Sequence, residues 1–131
     1  MAKILIVDDE RTILLTIQHL LNEQGFETCE ASNGLAALQL FQTQFFDLVI
    51  SDLRMPRMDG VSFLHEVKNL DPTVPIIVLT AYATSEILSA ANERHAFTYL
   101  PKPFQSETLL RIVGELLSAA PRGTDQAAVR A

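Results

Sequence analysis

The sequence runs to 131 residues, 48% hydrophobic and 20% charged, which is enough for one domain with a buried core. With 16 acidic against 10 basic residues the formal charge is −6, which argues against a duplex-binding surface of clustered Lys and Arg. No apolar stretch nears the roughly 18 residues of a membrane span, Ile4–Val7 is too short for a signal-peptide core, and the single Cys29 excludes an internal disulfide or a cysteine-based zinc cage. An acidic, cytoplasmic single domain with no membrane or nucleic-acid partner is therefore expected.

In chain order, Ile4-Leu5-Ile6-Val7 predicts a strand. It is rich in β-branched residues and does not alternate, as when helices cover both faces. Ile13, Leu14, Ile17, Leu20 and Leu21 recur on one helix face, and Gly25 is a natural stop. Phe26 to Glu30 alternates like an edge strand. Asn33-Gly34 followed by Leu35, Leu38 and Phe41 predicts a second helix ending near Gln44. A buried strand follows at Leu48-Val49-Ile50, then a third helix from Val61 to Leu70, closed by Asp71-Pro72. Ile76-Ile77-Val78-Leu79 predicts another buried strand. Thr84 to about Asn92 predicts a fourth helix with an Ala-rich apolar face. Phe97 to Leu100 is a short strand, and Leu109, Ile112, Val113, Leu116 and Leu117 mark a last helix. A β-α unit repeated five times calls for a parallel sheet with right-handed crossovers. Residues 1–118 are expected to form the domain. From Ala119 to Ala131 neither period persists, and Pro121-Arg122-Gly123 reads as the start of a flexible tail or linker.

In an open parallel α/β sheet, ligands bind beyond the carboxyl ends of the strands. Here the first strand runs into Asp8-Asp9-Glu10, the third into Ser51-Asp52, the fourth into Thr80-Ala81 and the fifth into Pro101-Lys102-Pro103. Singly, each has a plain structural role: an Asp at a helix start, a β-forming Thr, a solvated Lys. Jointly they gather carboxylates, a hydroxyl and an ammonium on one rim. Crowded carboxylates raise one another's pKa unless a cation intervenes, and hard oxygen ligands suit Mg2+. Lys102 suits a phosphate oxygen, and a carboxylate can act as a nucleophile toward phosphorus. The set points to an Asp that accepts a phosphoryl group beside a metal.

These segments resemble the receiver domain of two-component response regulators, the CheY-like superfamily. The matching stretches are Ile4 to Glu10, Ser51-Asp52-Leu53-Arg54-Met55-Pro56-Arg57-Met58-Asp59-Gly60, Val78 to Ala81, and Tyr99 to Phe104, within residues 3 to 118. The resemblance implies an α/β, flavodoxin-like (βα)5 three-layer sandwich with a five-stranded parallel sheet in the order 2-1-3-4-5. It implies that Asp52 is the phosphoacceptor for a histidine kinase's phosphohistidine. Asp9 would bind Mg2+ directly, Asp8 through a metal-bound water, and the Arg54 main-chain carbonyl would complete the protein's ligands along with Asp52. Thr80 would be the hydroxyl that moves to the phosphoryl group, Lys102 the cation that pairs with it, and Tyr99 the aromatic that changes rotamer. Pro103 would follow a cis peptide bond.

The resemblance further implies a kinase or phosphotransfer protein as donor, an output domain or effector as target, and self-catalysed acceptance with slow autodephosphorylation rather than turnover. A homodimer is left open. The sequence departs from the family at His95-Ala96, where Gly-Ala is frequent, and Arg54 and Tyr82 flank the acceptor at variable positions. Other chemistries fit less well. His19, His65 and His95 are scattered, no Gly-rich nucleotide loop is present, an FMN phosphate would be repelled by Asp8-Asp9, and the Asp-x-Asp of aspartyl phosphatases is lacking. The alternative function is a receiver-like interaction domain that works without phosphorylation.

Overall fold

The structure is a computed structural model that describes residues 2–53, 60–81 and 97–119. Its elements are β1 (Lys3–Val7), α1 (Arg11–Glu23), β2 (Glu27–Ala31), α2 (Gly34–Thr43), β3 (Leu48–Asp52), α3 (Gly60–Leu70), β4 (Ile76–Thr80), β5 (Phe97–Pro101) and α4 (Ser106–Ala119). The five strands form one sheet in the order β2-β1-β3-β4-β5, with every pairing parallel. The helix expected over Thr84 to Asn92, the residues His95 and Ala96, and the tail beyond Ala119 lie outside the described residues.

Alternate residues of a strand point to opposite faces of a sheet, and the two cores divide by that rule. Ile4 and Ile6 of β1, Leu48 and Ile50 of β3, Ile77 and Leu79 of β4 and Leu100 of β5 pack on one face. There they meet Leu14, Ile17 and Leu21 of α1 and Leu109 and Val113 of α4. Leu5, Val7, Val49, Ile76 and Val78 pack on the other face with Ala37 and Phe41 of α2 and Phe63, Leu64 and Val67 of α3. Covering both faces explains why the central strands show no alternation in sequence. Edge strand β2 does alternate, and only Ala31 of its five residues is buried.

Local chemistry sets the helix ends. The Asn33 side chain accepts a hydrogen bond from the Ala36 N–H at 2.8 Å and caps α2. At the end of α1, the Gly25 N–H donates to the Asn22 carbonyl (3.0 Å) and the Phe26 N–H to the Leu21 carbonyl (3.1 Å). This is a Schellman closure, and it requires the left-handed conformation that Gly25 adopts at φ 90°. A Cβ at Gly25 would meet no atom within 4 Å, so backbone strain alone opposes a larger residue. Gly25→Ala is expected to lower the unfolding free energy by about 1–2 kcal/mol, as measured by urea denaturation with an unchanged m-value.

Candidate functional site

The two-residue period that fills the α1/α4 face carries on past the apolar core. Two residues beyond Ile6 stands Asp8, two beyond Ile50 stands Asp52, and two beyond Leu100 stands Lys102. Three charged side chains thus leave the sheet on the face of three buried aliphatics, at the carboxyl ends of neighbouring or near-neighbouring strands. The Lys102 N–H donates to the Thr80 carbonyl at 3.0 Å, extending the β4–β5 pairing by one step. The Lys102–Pro103 peptide bond is cis, as expected.

These charges meet. The Lys102 Nζ lies 2.8 Å from Asp8 Oδ2, 3.3 Å from Glu10 Oε1 and 3.4 Å from Asp52 Oδ2. The Lys102 side chain is only 10% exposed. Both aspartates are also held by main-chain donors: the Glu10 N–H donates to Asp8 Oδ1 at 2.9 Å, and the Leu53 N–H donates to Asp52 Oδ1 at 2.8 Å. Each carboxylate therefore has Oδ1 fixed by the backbone and Oδ2 turned to the ammonium.

Burial pushes the Asp8 carboxyl above its ordinary pKa, against the lowering pull of Lys102 and of the Glu10 N–H, and the charge of Asp52 adds to the rise. Burial also opposes the Lys102 ammonium. Its hydrogen bond to Asp8 and the negative charges of Asp52, Asp8 and Glu10 outweigh that, so its pKa stands above the ordinary value.

One carboxylate oxygen from each of Asp8, Glu10 and Asp52 lies within 4.8 Å of the others. Three such anions against one ammonium leave a formal excess of two negative charges. Hard oxygen donors with that excess fit a divalent cation such as Mg2+.

The structure brings Asp8, Asp52 and Lys102 together. Thr80 is buried at the end of β4, next to the Leu79 that pairs with Asp52. Tyr99 is half-buried on β5 and pairs with Val78. Asp9 is exposed and is not one of the three grouped carboxylates. Arg54, Tyr82 and Asp59 lie outside the described residues. His19 pairs with Glu23 on the exposed side of α1 and His65 lies on α3, so neither adds to the site. Sequence reasoning gave Glu10 no role. The signal was present in Asp8: an Asp at a strand end readily accepts the N–H two residues on, which here folds the chain so that Glu10 faces back toward Lys102.

A parallel five-stranded α/β sheet in the order 2-1-3-4-5, with two aspartates and a lysine at its carboxyl rim, defines a narrow class of domain, and comparison with known proteins is specific. The family model for the response regulator receiver domain matches residues 4–114. The chain is 35% identical to sporulation initiation phosphotransferase F of Bacillus subtilis over 115 residues, 88% of this chain and 93% of that protein. It is 42% identical to regulatory protein AtoC of Escherichia coli, also over 88% of this chain but only 25% of that protein. Among solved structures, chemotaxis protein CheY4 of Vibrio cholerae superposes with a TM-score of 0.83 at 36% identity, covering 89% of this chain and 99% of that one. A CheY-like receiver domain protein from Methanospirillum hungatei gives 0.87 at 30% identity, covering 91% and 95%. The chain belongs to the response regulator receiver domain family of two-component signal transduction. It spans nearly the whole Bacillus relative but about a quarter of several transcriptional regulators that it also matches.

The raised pKa of Asp8 has a stability consequence of definite sign. The folded state binds the Asp8 proton more tightly than the unfolded chain does. Its contribution is therefore fully present below the unfolded pKa of 3.8 and is lost as pH rises through the higher folded value. In metal-free protein, Asp8→Asn should gain stability relative to wild type as pH rises from 4 to 7. Parallel urea titrations in chelator would show the gap widening; a gap that narrows would contradict this electrostatic picture.

Proposed function

We propose that the chain is a phosphorylation-controlled switch in which Asp52 accepts a phosphoryl group from the phosphohistidine of a histidine kinase or phosphotransfer protein. One observation carries this reading: a nearly buried carboxylate, its Oδ1 held by the Leu53 N–H, turns Oδ2 toward an ammonium 3.4 Å away. Oδ2 is then the attacking oxygen. A bond forms from Asp52 Oδ2 to phosphorus while the bond from phosphorus to the donor's imidazole nitrogen breaks, and that nitrogen keeps the electron pair. With a small donor such as acetyl phosphate, acetate leaves instead.

Phosphoryl transfer asks the protein chiefly for position and charge neutralisation. The residues that would hold Mg2+ are Asp8, Asp9, Asp52 and the main-chain carbonyl of Arg54. When bound, the ion supplies positive charge to the phosphoryl oxygens. Lys102 supplies a second positive charge from just beyond β5. The chain is no turnover enzyme in this account; it catalyses its own acceptance and slow loss of the group.

The readout would pass through Thr80 and Tyr99. Residues paired in register share a face of the sheet, so Tyr99, paired with Val78, lies on the same face as Thr80. A phosphoryl group that draws the Thr80 hydroxyl toward Asp52 would vacate space on the side where Tyr99 stands, changing the surface offered to an output domain or effector. The name of the Bacillus relative, a phosphotransferase, supports a place within a phosphorelay. Among the described residues no helix is long and apolar enough to cross a membrane, which accords with a cytoplasmic site of action.

Incubation with acetyl phosphate and Mg2+ should add one phosphoryl mass to the wild type and none to Asp52→Asn, because an amide is not a comparable nucleophile. An unlabelled wild type, under conditions that label a known receiver, would favour an interaction domain that works without phosphorylation.

A further inference from the structure

We propose that Glu10 is a positioning residue for Lys102, holding the ammonium beside Asp52 once a divalent cation takes over the Asp8 carboxylate. The inference rests on the phosphoacceptor reading of Asp52 but concerns a residue which that reading leaves unused.

Of the three carboxylates around Lys102, two have other work. A divalent cation held by Asp8 and Asp52 would compete with the ammonium for Asp8 Oδ2, now 2.8 Å from Nζ, and for Asp52 Oδ2, 3.4 Å from it. Glu10 lies on the outer side, with its side chain 61% exposed and its Oε1 3.3 Å from Nζ. It is the partner least affected by that competition.

The ordinary role for an acidic residue here would be to cap α1, since Glu10 occupies the N-cap position with extended backbone (φ −87°, ψ 108°). Its side chain makes no capping hydrogen bond and turns to Lys102 instead. The main chain fixes that direction, because the Glu10 N–H is bonded to Asp8 Oδ1 at 2.9 Å. Reach matters as well as charge: an Asp at this position is one methylene shorter and falls short of Nζ.

The test compares wild type with Glu10→Gln, which removes the charge, and Glu10→Asp, which keeps the charge but shortens the reach. Neither removes a capping bond, so both should fold. Glu10→Gln should keep a near wild-type urea midpoint and Glu10→Asp one equal or higher, since Asp is a favoured N-cap residue. The first readout is carbon-13 relaxation of the Lys102 Cε methylene with saturating Mg2+ alone. It should report an ordered side chain in wild type and a mobile one in both variants. The second is the affinity for beryllofluoride at saturating Mg2+, expected to weaken by about two- to five-fold in both variants, the scale of an exposed ion pair.

Unchanged Lys102 order would overturn the proposal, as would a Glu10→Asp variant that behaves like wild type, since charge alone would then suffice. A Mg2+ dissociation constant that rises as much as the beryllofluoride constant would make Glu10 a metal ligand and overturn it too. A wild type that binds no beryllofluoride would count against Asp52 as acceptor, whereas the relaxation readout needs only Mg2+ and bears on Glu10 by itself.

Discussion

The Lys102 ammonium, nearly buried among Asp8, Glu10 and Asp52, is the interaction on which the rest of the site depends. A buried carboxylate without a counter-charge is costly, and such a group normally takes up a proton instead. Lys102 moderates that cost, yet at Asp8 burial outweighs the pull of Lys102 and the carboxyl stands above its ordinary pKa. Among the described residues the rim is therefore short of positive charge. A divalent cation would cancel the negative excess, so that incoming phosphoryl oxygens would meet a metal and an ammonium instead of uncompensated carboxylates.

The sheet makes this arrangement possible and keeps it rigid. Asp8, Asp52 and Lys102 are far apart in the chain, at residues 8, 52 and 102, yet the parallel order β1-β3-β4-β5 sets their strands side by side. The aliphatics two residues earlier, Ile6, Ile50 and Leu100, are buried in one core with α1 and α4. Slipping any of these strands by one residue would turn its charge to the opposite face and misfit its apolar side chains against the other core. The cohesion of the core thus fixes the register of the charges, and a site of precise distances needs no further scaffolding.

Much of this was legible in the sequence because the physics is local and periodic. The apolar runs at Ile4, Leu48 and Ile76 marked the central strands, and the Asn33-Gly34 pair marked the start of α2. The strands nevertheless run further than the apolar residues do: β3 includes Ser51 and Asp52, and β4 includes Thr80. Hydrophobic patterning stops where side chains turn polar, whereas the main-chain ladder is indifferent to side-chain polarity and carries on. Asp8, Asp52, Thr80 and Lys102 could be placed at the rim because each stands at the end of a strand or just past it. Glu10 was less legible: Asp8 signals a local turn, but that the turn brings an exposed residue within reach of Lys102, far away in the chain, depends on the fold. Asp9 carries the same charge one residue earlier but is exposed and outside the three grouped carboxylates, a distinction that composition cannot make.

The central claim is that Lys102 and a divalent cation compete for the same carboxylate oxygens. Titration of Mg2+ into wild type and Lys102→Met, in the absence of any phosphodonor, addresses it directly. Removal of the ammonium should tighten Mg2+ binding several-fold, since Asp8 Oδ2 and Asp52 Oδ2 are then released to the metal. An affinity that is unchanged or weaker in the variant would mean that Lys102 does not stand in the cation's place, and the account of the site would fail.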